Sequence, residues 1–265
     1  MTDWLHDLPR WLSGVMMLAF FVGVAMGGLV STRGWMRQRG VHALIDNNVV
    51  GWIFSAMLAI YAITIGLTAV ASWTNSGAAA NVVSLEASQI AAAYWDLEGY
   101  PQPRRADLQR RLRSYVEHIV ESAWPAHRRG DDAHGGTIKL DEFQRALYAF
   151  EPTTDGQRII HAEALDSFNG LVESRRQRLQ AVNQALPGTL WGVVLVGAAL
   201  AIGASWVFRL ESIRVHAIMT GFLAAMIGLL VFFIAVTDRP FRGANGITPD
   251  AYRLVLRDMA VAGHP

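Results

Sequence analysis

The stretch from Ala59 to Ala79 reads AIYAITIGLTAVASWTNSGAA. It is apolar enough to lie in lipid, yet Tyr61, Thr64, Thr68 and Ser72 recur along it at helical spacing. Continued upstream and downstream in steps of three or four, the same face takes in Val50, Phe54, Met57 and Asn75. Its first half is bulky and apolar and its second half is polar. The hydroxyls then have two possible roles. In one they line a hydrated path between copies of the chain, below an apolar collar of Phe54, Met57 and Ile60 that gates by dewetting. In the other they bond to carbonyls one turn back and pack between spans. The adjoining face carries Gly51, Ser55, Ala59, Ala62, Gly66 and Ala69, small residues that let helices approach closely.

Composition places this stretch in a membrane. The chain has 265 residues, 52% of them hydrophobic and only 17% charged, against about a quarter charged in soluble domains. Four segments, Trp11–Val30, Val49–Trp73, Thr189–Phe208 and Val215–Val236, contain no Asp, Glu, Lys or Arg. Each has the ~20 residues a bilayer requires. The first is too long for a signal-peptide core and lacks a small-residue cleavage site, so it reads as a retained span. There are no cysteines, which excludes disulfides and thiolate metal sites, and a net charge of +1 argues against nucleic-acid binding. The expected fold is all-α: a polytopic membrane protein with four transmembrane helices and a cytosolic helical insert. It divides at 1–73, 74–188, 189–236 and 237–265, with the last segment a cytosolic tail. Arg10, Arg175, Arg176, Arg178, Arg239, Arg242 and Arg253 lie on the side of the insert and termini. They outnumber Arg33, Arg37, Arg39, Arg209 and Arg214 opposite, which favours insert and termini in the cytoplasm. With no targeting segment read, the expected location is a bacterial inner membrane.

The insert reads as helical. Val82, Leu85, Ile90, Ala93, Tyr94 and Leu97 mark an apolar face, and no proline separates them from the second span, so one long helix leaves the membrane. A second helix is expected to start at a cap on Asp107 and stop at Pro125. A third is expected over Leu140–Phe150, and a long one after a cap on Thr153 or Thr154, closed by Pro187 and Gly188.

Several polar groups are candidates for a pore mouth. In IDNNVVGW (45–52), Asp46, Asn47 and Asn48 cap the second span, and around an axis they would also meet cations. Glu86, in VSLEASQI (83–90), either pairs with an arginine of the insert or adds a charged ring to a vestibule. DDAHGGTIKLDE (131–142) has the glycine and final glutamate of a calcium loop, but Ala133 and Gly135 stand where side-chain oxygens are needed. His127 and His134 lack zinc-ligand spacing. Asp238 and Pro240 of VTDRPFRG (236–243) end the fourth span, with Arg239 and Arg242 suited to lipid headgroups or a neighbouring subunit. No nucleophile elbow, phosphate loop or dinucleotide fingerprint is present, so no enzyme activity, metal or cofactor is expected.

The segments HALIDNNVVGWIFSAMLAIYAITIGLTAVASW (42–73), VVSLEAS, SAWP, RRQRL, LPGTLW and DRPFRG occur in order over nearly the whole chain beyond residue 40. Together they resemble the bestrophin-like domain family of bacterial and plant membrane proteins. Bestrophins proper are pentameric ion channels whose second span lines the pore, continued by a cytosolic helical region. Their aromatic neck has no match here, where Phe54, Met57 and Ile60 are simply apolar. The resemblance therefore implies a homo-oligomer, favouring a pentamer, that contacts membrane lipid and passes ions. The alternative is a non-conducting scaffold or signalling protein whose insert binds partners.

Overall fold

A computed structural model describes residues 9–38, 46–131, 135–243 and 246–262. Nine α-helices follow one another in the described residues, with no strand among them. They are α1 (Arg10–Gln38), α2 (Asn47–Asp96), α3 (Arg104–His118), α4 (Trp124–Arg129), α5 (Gly135–Tyr148), α6 (Asp155–Asn183), α7 (Gly188–Ser205), α8 (Ile213–Thr237) and α9 (Asp250–Ala262). Four helical stretches are long and apolar enough to cross a membrane, and they contain the first, second and fourth spans read from sequence and most of the third. The third span ends at Ser205 rather than Phe208, because Trp206 and Val207 already turn toward α8. The chain forms two compact units, 1–76 with 185–238 and 77–184 with 239–265.

The first unit is the four-span bundle. Its core joins Phe21, Ala25, Tyr61, Ile65, Val194, Ala198, Ala224, Ile227 and Val231. Small residues allow close approach: the Phe21 ring lies over Gly228, and the Trp206 indole lies over Gly28 and donates to Ala25 O at 3.0 Å. A Cβ on Gly28 would sit 2.1 Å from the Trp206 ring, whereas Gly23 faces open space. Gly28→Ala is therefore expected to cost about 1–3 kcal/mol through overpacking. In detergent it should lower the unfolding temperature by several degrees, while Gly23→Ala leaves it unchanged.

Three polar clasps fix the ends of the spans. Asp46 Oδ1 accepts from Asn48 N at 2.8 Å, capping α2 as expected. The Asn47 amide pairs like a backbone unit with Arg209, donating to its carbonyl at 2.6 Å and accepting from its N–H at 2.9 Å. At the other end of the bundle, Asp238 accepts from Leu186 N at 2.6 Å and from the Trp191 indole at 3.1 Å. This ties the exit of α8 to the entry of α7. Asp238 thus does more than end a helix.

The second unit is a helical bundle around Ile90, Leu108, Leu112, Tyr115, Phe143, Phe168 and Leu171. The tail belongs to it, since Tyr252, Val255 and Met259 of α9 are buried there. Three boundaries differ from the sequence reading. Asp107 lies inside α3, which begins at Arg104 behind Pro103, and it pairs with Arg110 and Arg111 at 2.8 and 2.9 Å instead of capping. Pro125 opens α4 instead of ending a helix. The chain widens into a π turn over Ile119–Ala123, where Trp124 N–H reaches back to Ile119 O, and this accommodates the proline ring. The third insert helix also begins earlier than read, at Gly135. Thr154 does cap α6, accepting from Gln157 N at 3.2 Å, and the Gln157 side chain returns to Thr153 N at 2.8 Å. His134, with residues 132 and 133 of the segment rejected as a calcium loop, lies outside the described residues.

Candidate functional site

Helix α2 carries the residues singled out in the sequence. At 1.5 Å per residue its 50 residues run roughly 75 Å. Its register decides what each side chain faces, and the structure divides the alcohol-bearing edge. Tyr61 is 8% exposed, and its hydroxyl donates to Val194 O of α7 at 3.1 Å. Thr68 is buried and bonds to Thr64 O at 2.8 Å, one turn back, while half-buried Thr64 bonds likewise to Ile60 O at 2.9 Å. Ser72 is 1% exposed and shares a 2.7 Å hydrogen bond with Thr237 of α8. Tyr61, Thr68 and Ser72 therefore belong to the packed interior of their own bundle, which corrects the reading of one continuous pore-facing stripe. The cause is that each hydroxyl finds a carbonyl or hydroxyl partner within the protomer.

The apolar half of the expected edge divides too. Phe54 is half-buried, its ring set edge-on to Phe208 at 5.3 Å, and Val50 is half-buried. Met57 and Ile60 border an open groove of about 600 Å³ between α2 and α7, also lined by Tyr61, Gly192, Val196 and Gly197. Asp46, Asn47 and Asn75 are exposed. Of the adjoining small residues, Ser55, Ala59 and Ala62 are exposed and only Ala69 is buried.

Glu86 is not a mouth residue. It is fully buried, and its pairing with an insert arginine is the arrangement found. Its Oε2 accepts from Arg178 Nε at 2.5 Å and Tyr252 Oη at 2.9 Å, and its Oε1 from Tyr115 Oη at 2.9 Å and Arg178 Nη2 at 3.3 Å. Arg178, 2% exposed, is thus held side-on by one carboxylate. Burial pushes the Tyr115 and Tyr252 phenols up, and the adjacent Glu86 charge adds to it, so both remain donors. Burial opposes the charge on Arg178, but Glu86 together with Tyr252 and Tyr115 outweighs it and holds the guanidinium protonated.

The opposite side of α2 is uncovered. Trp52, Ile60, Ile63, Leu67 and Val70 are exposed along it, followed by Thr74, Gly77, Asn81, Ser84 and Ser88. Apart from Ile60, these positions were missed from sequence, although a signal was present. Glu86, the sole acid between Asn47 and Ala93, falls at helical register with Tyr61, Thr68, Ser72, Ala79 and Ile90. A lone charge must be paired or wet, and pairing it inward turns that whole line toward the core. Among the described residues no group of His, Cys, Asp and Glu could hold a metal ion.

Known proteins match this architecture. Crystal structures of a bacterial bestrophin homologue from Klebsiella pneumoniae superpose with a TM-score of 0.69 at 15% identity, covering 95% of this chain and 99% of that one. A leucine-to-threonine variant of it gives 0.69 at 14% with the same coverage. A crystal structure described as a membrane protein variant also gives 0.69 at 14%. At such identities the likeness establishes the fold. No curated protein sequence matches the chain. The Bestrophin-like domain model, however, matches residues 19–252, and with four spans and a helical insert in the corresponding order the chain belongs to the bestrophin-like domain family.

Proposed function

We propose that the protein is a passive ion channel, a closed homo-oligomer (a pentamer by analogy with bestrophins) in a cell membrane, its insert and termini in the cytoplasm. The axis is lined by the uncovered row of α2. One observation carries this reading: that row changes character along a single azimuth. Ile60, Ile63, Leu67 and Val70 are exposed and apolar, and Thr74, Asn81, Ser84 and Ser88 beyond them are exposed and polar. An apolar constriction opening into a hydroxyl-bearing vestibule is the arrangement that gates by dewetting. The row holds no Asp, Glu, Lys or Arg, so selectivity comes from width and from the exposed polar groups Asp46 and Asn75 near the ends. Coupled transport is disfavoured, because charged residues within the spans usually mark it and the four runs hold no Asp, Glu, Lys or Arg. Their one histidine, His216, sits at the start of the fourth span bonded to Ser205 O at 2.9 Å. The gate proposed from sequence at Phe54, Met57 and Ile60 accordingly moves along α2, keeping only Ile60.

The cysteine-free chain makes the test direct. Single cysteines at Leu67, Val70 and, as a lipid-facing control, Phe222 are introduced, and the protein is reconstituted in liposomes. A charged, membrane-impermeant methanethiosulfonate should modify Leu67→Cys and Val70→Cys and reduce ion flux, leaving Phe222→Cys unreactive. If all three are equally unreactive and the purified protein is a monomer or dimer, the channel reading fails and the scaffold takes its place.

A further inference from the structure

Beyond the membrane, α2 keeps an apolar covered side and a polar uncovered one. The covered side presents Ala79, Val83, Ala87 and Ile90, and the uncovered side Gly77, Asn81, Ser84 and Ser88. Hydrophobicity selects the side that is covered, but both sides are built mainly of small side chains, so shape alone distinguishes weakly between one rotational setting of the helix and the next. The charge does distinguish. Four donors converge on Glu86 from three other helices: Tyr115 from α3, Arg178 from α6 and Tyr252 from α9. Each carboxylate oxygen takes two of them, which fills the acceptor sites of the group. A turn of α2 by one residue would leave a buried carboxylate and a buried guanidinium unpaired. The tail helix α9 also touches α2 a second time, two turns on, where Tyr94 Oη donates to Met259 O at 3.3 Å.

We propose that Glu86 is a positioning residue: gripped by Tyr115, Arg178 and Tyr252, it fixes the rotation of α2 about its own axis and so sets which side chains the helix presents to the vestibule. Through Tyr252 and Met259 the C-terminal helix then controls the setting of the pore helix. The consequence for conduction rests on the channel reading above, whereas the rotational setting can be measured without any flux.

Single cysteines at Val83 and Ala87, both covered, and at Ser84 and Ser88, both uncovered, are modified with a water-soluble methanethiosulfonate on purified full-length protein. With Glu86 intact the uncovered pair reacts fast and the covered pair slowly. In the Glu86→Gln background, where an amide places N–H groups against donors, the covered pair should react about tenfold faster and the uncovered pair more slowly. Tyr252→Phe, which keeps the ion pair, should give a smaller shift of the same sign. Opposite changes on the two faces are the signature of rotation. An unchanged pattern in Glu86→Gln overturns the proposal. So does a rise on both faces together with exposure of a cysteine at buried Phe143, which is plain loosening. If Glu86→Gln does not fold, Tyr115→Phe and Tyr252→Phe decide: unchanged labelling in both overturns the proposal, and a shift of opposite sign on the two faces upholds it. A failure of flux with this pattern intact would count against the channel alone.

Discussion

Arg178→Leu is expected to abolish production of folded protein. The substitution removes a guanidinium that is 2% exposed and leaves the Glu86 carboxylate, fully buried, with only two phenol donors. Breaking a buried ion pair from one side costs about 3–5 kcal/mol, because the remaining charge is neither hydrated nor compensated. That is a large part of the roughly 5–15 kcal/mol that holds a typical domain folded. Size-exclusion of the detergent extract should show aggregate in place of the wild-type peak. Arg178→Lys should be intermediate, since an ammonium cannot offer the paired Nε and Nη2 donors seen here. The double variant Glu86→Leu with Arg178→Leu should recover a folded species, because it leaves no orphan charge. A well-folded Arg178→Leu single variant would mean that Glu86 finds water, and the buried tetrad of Glu86, Arg178, Tyr115 and Tyr252 would be wrong.

The second large effect concerns conduction. Leu67→Ser should raise ion leak through reconstituted protein by about tenfold or more, equivalent to removing about 1.4 kcal/mol of barrier. Leu67 is exposed in the protomer and packs no core, so the change alters what the axis sees and not the bundle. A serine there is smaller and binds water, and both effects favour wetting of an apolar constriction. Thr68→Val, the adjacent position, should leave flux unchanged. Its hydroxyl is buried and already bonded to Thr64 O. The two neighbours therefore separate the uncovered row of α2 from the covered one: a rise with Thr68→Val and none with Leu67→Ser would restore the hydroxyls as the lining.

Fold and site were unequally legible. The spans were visible because lipid forbids charge, and a water-soluble core does not require four uncharged runs of that length. The continuous second helix was visible too, since nothing between Trp73 and Asp96 breaks one. Direction was harder to read. Tyr61, Thr68 and Ser72 look like a wet line because hydroxyls are polar, but a hydroxyl with a carbonyl 2.8–3.4 Å away is as content in a dry bundle. Sequence spacing identifies which residues share a face but not where that face points. Glu86 supplied the missing direction, and weighing its pairing as a constraint on the whole helix would have turned the stripe inward. The π turn at Ile119–Ala123 had no sequence signal beyond Pro125 itself, which is why the proline read as a stop.

The seam between α1 and α8 has a bearing on biogenesis. Phe21 rests on Gly228, and the Phe232 ring lies beside Gly14, so of the four spans the one made first is matched to the one made fourth. At ordinary elongation speeds the interval between them is on the order of ten seconds or more. Until it ends, the opening segment sits in the bilayer with its mate still unsynthesised. Insertion machinery or surrounding lipid has to shelter that surface meanwhile, and ribosomal stalling within the insert lengthens the exposure.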